Sequence, residues 1–176
     1  MKTISHVHFD SILEQTSLKP RFKKGLKFVT SVSEIHTNWS NLEYVAISDR
    51  TKNNGVLLLE PNNQLYIVQY ELSRRIIDSK TGRDRAIICD FCFTWQPGSN
   101  AASIAFVNEA TKHTLRFLCC GDLACSNHVR SLTKASTTSR AQLREDLTDE
   151  DRIARLKVNL ERKIHQLQLT PIYITS

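Results

Sequence analysis

The chain has no apolar run near the roughly 18 residues that a membrane-spanning helix needs. Its longest purely apolar stretches are short, such as Val56–Leu59. Only five of the 176 residues are glycine and four are proline, which leaves no material for a Gly-rich linker, a collagen repeat or a low-complexity tract. No self-similar period of 20–50 residues is visible, so a solenoid is not expected. Catalytic signatures are missing too. There is no H-E-x-x-H, H-x-E, G-x-S-x-G or P-loop pattern, and no carboxylate pair stands out as acid and base. An enzyme is therefore not expected. The first eight residues hold one Lys and no apolar stretch, so a secretory leader is not expected and the reducing cytosol is the expected compartment.

What the chain does have is five cysteines, all between Cys89 and Cys125. In a reducing compartment, clustered cysteines point to metal ligation rather than to disulfides. It also has a basic balance, with 24 Lys and Arg against 18 Asp and Glu, a formal charge of +6. Five of the cations crowd into nine residues: Lys19, Arg21, Lys23, Lys24 and Lys27. Such a cluster is either a solvated face or a contact for RNA or an acidic protein surface. Phe22 and Phe28 flank it and are expected to anchor it to the core.

The periodicities divide the chain into two regions, residues 1–85 and 86–176. In the first, Phe9, Ile12, Leu13 and Thr16 fall at i, i+3, i+4 and i+7, a weak amphipathic helix. Leu42–Ile47, Gly55–Leu59 and Gln64–Tyr70 are rich in aliphatic, β-branched and aromatic residues and read as strands. Thr51–Gly55 and Pro61–Asn63 supply turn residues between them, so a three-strand antiparallel meander is expected. Ser73–Arg85 is densely charged and reads as a polar connection.

In the second region, Ser103–Val107 and Thr114–Leu118 are the expected arms of a hairpin, with Asn108–His113 as its turn. Ser131–Arg144 is rich in Ser and Thr and reads as a loop or frayed helix end. Thr148-Asp149-Glu150-Asp151 has the form of a capping box, with three acids on the positive end of the helix dipole. Ile153, Leu156, Leu160, Ile164 and Leu167 then form one apolar stripe, so a helix is expected over residues 149–168. Leu169–Ser176 is an apolar, β-prone tail.

Cys89-Asp90-Phe91-Cys92 is C-x2-C, and two thiolates at that spacing can point the same way from a tight knuckle, the usual half-site for tetrahedral zinc. Twenty-seven residues separate Cys92 from Cys120, where Cys120-Gly121-Asp122-Leu123-Ala124-Cys125 offers a second pair. Gly121 suits a sharp turn and Asp122 a helix N-cap, which would put Cys125 in the first turn of a helix. Knuckle, hairpin, then helix, with two ligands from each end, is the treble-clef arrangement. The expected ligands of one structural zinc are Cys89, Cys92, Cys120 and Cys125. If the preceding strand continues, Cys119 and Cys120 face opposite sides, so one ligates while the other packs as a small apolar residue. Cys120 is preferred because Cys119 extends the apolar run Phe117-Leu118, while Cys119 as ligand stays open. His113 and His128 could replace a thiolate, although four cysteines make that unnecessary. Four thiolates leave no open position for water or substrate. They and the ion also lower the formal charge by two, from +6 to +4. The expected fold class is α+β: an N-terminal helical lead-in and antiparallel β-meander, followed by a treble-clef zinc finger with a C-terminal amphipathic helix.

These segments resemble a known family. The two cysteine groups, the stretch Cys120-Gly-Asp-Leu-Ala-Cys125-Ser126 and the helix segment Asp151-Arg-Ile-Ala-Arg-Leu156 are similar to the FBP treble-clef zinc-finger family. Its best-known members are the FusB-type fusidic acid resistance proteins. Upstream, Trp39, Leu42, Ile47, Asp49 and Gly55-Val56-Leu57 are similar to the family's Trp-containing strand and hairpin. The resemblance covers about residues 28–168. It implies a cytoplasmic protein that binds elongation factor G through its zinc-bearing region and promotes its release from the ribosome, with possible fusidic acid resistance. It also implies a partner-binding face at Phe91, Lys112, Arg116 and Leu118. The basic segment at Lys19, Arg21, Lys23, Lys24 and Lys27 supports an alternative, direct contact with ribosome or RNA.

Overall fold

The computed structural model describes residues 1–33, 38–133 and 146–172. Its order is helix α1 (His6–Glu14), α2 (Pro20–Gly25), α3 (Phe28–Ser33), strands β1 (Tyr44–Ser48), β2 (Asn54–Leu59), β3 (Tyr66–Ser73), β4 (Ile87–Ile88), β5 (Trp95–Gln96), β6 (Ala101–Asn108) and β7 (His113–Cys120), then α4 (Cys125–Val129) and α5 (Asp149–Gln166). The chain is an α+β protein, as its patterning implied. By contact density it divides into two units. One comprises Met1–Glu71, Ala105–Leu115 and Lys163–Ser176, the other Leu72–Ile104 and Arg116–Arg162.

The expected meander is present and antiparallel. Tyr44 pairs with Leu59 and Ser48 with Gly55 across β1 and β2, and Asn54 pairs with Glu71 and Leu59 with Tyr66 across β2 and β3. Sequence patterning did not reveal that meander and hairpin join, giving one five-stranded sheet in the order β1-β2-β3-β6-β7. Gly55 has a packing reason. A Cβ there would lie 2.3 Å from the Ile47 carbonyl oxygen and 2.6 Å from the Tyr70 hydroxyl, so no side chain fits.

In the first unit the core gathers Phe9, Ile12 and Leu13 of α1 with Phe28, Trp39, Val45, Ile47, Val56, Leu58 and Ile67. Three of the four residues that suggested α1 are therefore its buried face. The fourth, Thr16, lies past the helix end, where its hydroxyl donates to the Leu13 carbonyl at 2.7 Å. Ser5 caps α1 by accepting from the His8 amide at 3.3 Å. The cationic segment folds as α2, with Pro20 at its start, where a missing N–H costs nothing. No residue of α2 is fully buried, though Phe22 packs partly against the core beside buried Phe28. Asn108 on β6 donates from Nδ2 to the Leu167 carbonyl at 2.9 Å, fixing the end of the last helix. Leu65 and Ile172 form an isolated antiparallel bridge, so the apolar tail does pair as far as Ile172, and residues 173–176 lie outside the described residues.

In the second unit, α5 begins as its sequence implied. The Asp151 amide donates to Thr148 Oγ1 at 3.2 Å, and the Thr148 amide donates to Asp151 Oδ2 at 3.3 Å, a reciprocal capping box. The helix stops at Gln166, two residues short of expectation, with Gln168 at a left-handed φ of 54°. Leu156 and Leu160 are buried, and Ile153 is half-buried. The expected loop over Ser131–Arg144 falls largely on residues 134–145, outside the described residues. The charged connection before β4 is not formless. The Asp78 amide donates to the Arg83 carbonyl and the Arg85 amide to the Ile76 carbonyl, with Ile77 bridged to Asp84, a short irregular hairpin.

Candidate metal centre

The knuckle is built by local backbone geometry. The Phe93 amide donates to the Cys89 carbonyl at 2.9 Å and the Cys89 amide to the Thr94 carbonyl at 3.0 Å. Closing so tight a turn puts Phe93 at a φ of 58°, in the left-handed region that a bulky aromatic residue rarely adopts. The Arg155 guanidinium lies 4.6 Å from the Phe93 ring centre, a cation–π contact. Within the knuckle, the Phe91 amide points at Cys89 Sγ at 3.4 Å, as amides do toward a thiolate.

The second half-site follows from β7. The strand runs through Cys120, so alternation sends Cys119 and Cys120 to opposite sides. Gly121 lies in the turn expected there, and the left-handed residue of that turn is Leu123, with a φ of 54°. Gly121 suits a close approach, because a Cβ there would sit a tight 3.3 Å from the Asn100 carbonyl oxygen, which accepts from the Gly121 amide at 2.7 Å. The helix starts two residues later than a cap at Asp122 would require. Ala124 occupies the cap position of α4, and Asp122 Oδ1 instead accepts from the Ala124 amide at 3.0 Å, a local turn. Cys125 lies, as expected, in the first turn of α4, as its first residue.

These elements bring Cys89, Cys92, Cys120 and Cys125 together, with all four sulfurs within 4.8 Å of one another and all four side chains buried. The separations are 3.8 Å from Cys89 to Cys125, 3.5 Å from Cys92 to Cys120 and 3.8 Å from Cys120 to Cys125. A tetrahedron with zinc–sulfur bonds of about 2.3 Å has edges of about 3.8 Å. The sulfurs thus stand at the spacing the ion sets, and well beyond the 2.05 Å or so of a disulfide. An all-sulfur, fully enclosed donor set is the chemistry of a structural zinc. The four cysteines fit one such ion. Hydrogen bonding from neighbouring thiols, Cys120 first, holds Cys92 far below the ordinary thiol range. Burial pushes Cys125 well above it. Four thiols in one dry site cannot all ionise on their own, and a divalent cation is what makes that state stable.

Cys119 lies outside this set. Burial, first, and the nearby sulfurs push its thiol upward, so it stays neutral and packs as a small apolar side chain. His113 is exposed on β7. His128 is buried, with Nδ1 2.6 Å from Thr133 Oγ1 and Nε2 3.3 Å from Asp122 Oδ1. Cys120, Asp122 and His128 also lie close enough to share an ion, but the same Asp122 oxygen that faces His128 is already held by the Ala124 amide. Burial pushes the Asp122 carboxyl up, yet the bonds from His128 and from the Ala124 amide outweigh this and hold it below its usual range.

Of the residues expected on a partner face, Lys112, Arg116 and Leu118 are exposed, and Lys112 reaches Glu109 at 2.9 Å. Phe91 is fully enclosed, its ring 5.8 Å from that of Phe117, because the knuckle turns it inward with the ligands. Missed by sequence reasoning is Asn159. It is a polar residue on the apolar side of α5, buried, and its Nδ2 donates at 3.2 Å to the carbonyls of both Asp90 and Phe91. A polar residue one position before Leu160 in the stripe was the available signal.

The chain matches the FBP C-terminal treble-clef zinc-finger family over residues 18–167. No curated protein and no solved structure matches it. The match spans most of the 176 residues, and the chain belongs to that family.

Proposed function

We propose that this FBP treble-clef protein is a binding module, not an enzyme: it docks on elongation factor G and promotes that factor's release from the ribosome. The reading rests on family membership together with the closed zinc site. Four thiolates complete the coordination of the ion, so the metal shapes a surface and has no position for substrate. When bound, the zinc supplies folding energy to the knuckle and α4. The surface nearby suits a protein partner, since Ile88, Phe93 and Leu118 are exposed apolar side chains in the zinc-bearing unit. Isothermal titration of the zinc-loaded protein into elongation factor G tests this. A saturable heat is expected, and its absence, with no co-migration on gel filtration, overturns the reading. Protection of translation against fusidic acid is the corresponding functional assay, and a cytoplasmic location follows from the same partner.

One observation favours a second reading, contact with RNA. The hairpin around Asp78 is ordered and exposed, and it carries Arg74, Arg75, Lys80, Arg83 and Arg85 against Asp78 and Asp84. This hairpin and, separately, the segment Lys19, Arg21, Lys23, Lys24 and Lys27 are each a phosphate contact in this reading. In that segment Lys19 is engaged with Glu109 at 3.1 Å, and Lys23 donates to the Thr16 carbonyl at 2.9 Å. Affinity for ribosomal RNA should then fall steeply with salt, because binding releases counterions. Binding that ignores salt removes this reading.

A further inference from the structure

The zinc site is wrapped by a chain of polar side chains that runs from one half-site to the other. Thr94 Oγ1 lies 2.9 Å from Cys92 Sγ. Gln96 Nε2 donates to that same hydroxyl oxygen at 2.8 Å. Asn100 Nδ2 donates to Gln96 Oε1 at 2.8 Å and to Asp122 Oδ2 at 3.0 Å. Asn100 Oδ1 accepts in turn from the Asp122 amide at 3.0 Å. Gln96 is wholly buried, so its amide has no water to satisfy it.

The direction of every bond in this chain follows from its far end. An ionised carboxylate only accepts, and a backbone amide only donates. Asp122 therefore forces Asn100 to present its NH2 to the carboxylate and its carbonyl to the amide. The same NH2 group faces Gln96, which must present its carbonyl there and its own NH2 to Thr94. Gln96 then offers Thr94 a donor and no acceptor, and a thiolate can only accept, so the Thr94 proton turns to Cys92 sulfur. We propose that Asp122, Asn100 and Gln96 form a directed relay that makes Thr94 a hydrogen-bond donor to the Cys92 thiolate, so that Thr94 is the positioning residue that subdues this sulfur's nucleophilicity when zinc is bound.

A hydroxyl donor spreads the thiolate's charge into O–H···S bonding and lowers its reactivity toward electrophiles without displacing the metal. The role does not depend on what the protein binds. It belongs to a chain in which two anions, a carboxylate at one end and a thiolate at the other, terminate the same line of donors.

The test is the rate at which the zinc-loaded full chain loses metal to a chromophoric chelator on addition of N-ethylmaleimide, with the alkylated cysteine located by peptide mass. Zinc content and the thermal melt are checked first. Thr94→Val is nearly isosteric and removes the hydroxyl, which is both the donor to Cys92 and the acceptor for Gln96 Nε2. It should release zinc about tenfold faster, with alkylation at Cys92, the lower end of what loss of an outer-shell partner costs a metal site. Thr94→Ser keeps the hydroxyl and should stay close to the wild-type rate. The paired exchange Asn100→Asp with Asp122→Asn keeps the shape of the clasp but reverses it. Gln96 must then turn its NH2 to the new carboxylate and its carbonyl to Thr94, which donates away from sulfur. This exchange should react like Thr94→Val. A Thr94→Val rate equal to wild type overturns the proposal, as does an exchanged pair that behaves like wild type.

Discussion

Cys119 and Cys120 are adjacent, both buried, and differ only in which side of β7 they leave, so replacing each by alanine separates packing from ligation. Cys119→Ala deletes one sulfur from a dry site and leaves a void smaller than a methylene pair, a cost of about 1 kcal/mol. For a chain of this length that lowers Tm by about 2–4 °C. Cys120→Ala removes the sulfur that stands 3.5 Å from Cys92 and 3.8 Å from Cys125. A structural zinc contributes about 10 kcal/mol or more of apparent binding free energy in small domains. Whole-domain stabilities run about 5–15 kcal/mol, so losing even half of the zinc contribution is enough to unfold the unit that carries the site. Metal per chain by mass spectrometry and calorimetry at matched zinc read the two effects apart. Cys119→Ala should keep one zinc and a sharp melt. Cys120→Ala should bind substoichiometric zinc and lose its cooperative transition. Zinc retained by Cys120→Ala and lost by Cys119→Ala would refute the ligand geometry.

Asn159→Ala should strand the carbonyls of Asp90 and Phe91 in a buried place and cost about 1–3 kcal/mol, seen as a lower Tm and faster zinc loss to a chelator. Gly55→Ala should lower stability by about 1–3 kcal/mol through the clash with the Ile47 carbonyl and Tyr70, while metal content stays at one per chain. The Thr81 amide, then its hydroxyl, hold the Asp78 carboxyl below its usual range. A depressed folded value means that the turn's order is present above the ordinary carboxylate range and lost as pH falls through the folded value. The protection of the Thr81 and Lys80 amides relative to their intrinsic exchange rates should therefore fall on acidification in the wild type and show no such pH step in Asp78→Asn.

The parts of this protein that could be read from sequence are those encoded by neighbours along the chain. Cys89-x2-Cys92 needs only one turn to aim two sulfurs alike, and Thr148 with Asp151 needs only the first turn of α5 to cap it. The meander was legible because turn residues and strand residues alternate along the chain. The remainder depended on pairings between distant segments. Nothing near Tyr66–Ser73 announces that β6 lies beside it. Nothing about Asn100 in isolation says that Gln96 and Asp122 stand within reach, and its surroundings read only as a turn before a strand. Phe91 misled for the opposite reason: an aromatic residue inside the knuckle looks available until the turn is built and puts it inside with the sulfurs. The charged segment after β3 likewise read as a connection because its order comes from Asp78 accepting backbone amides, a feature of conformation rather than of composition.

The separation of Cys89 from Cys125 by 36 residues also bears on how the chain folds. Joining two points that far apart in a random chain costs about 4 kcal/mol of loop-closure entropy, whatever makes the join. A metal ion meeting an unfolded chain would carry that cost alone. Here β6 and β7 are neighbours joined by the four residues 109–112, and zipping them needs only short closures, each small. Once the hairpin has formed, Cys120 and Cys125 are tethered by a folded ladder instead of a free loop. The zinc then completes a ring whose entropic cost has already been met by local steps.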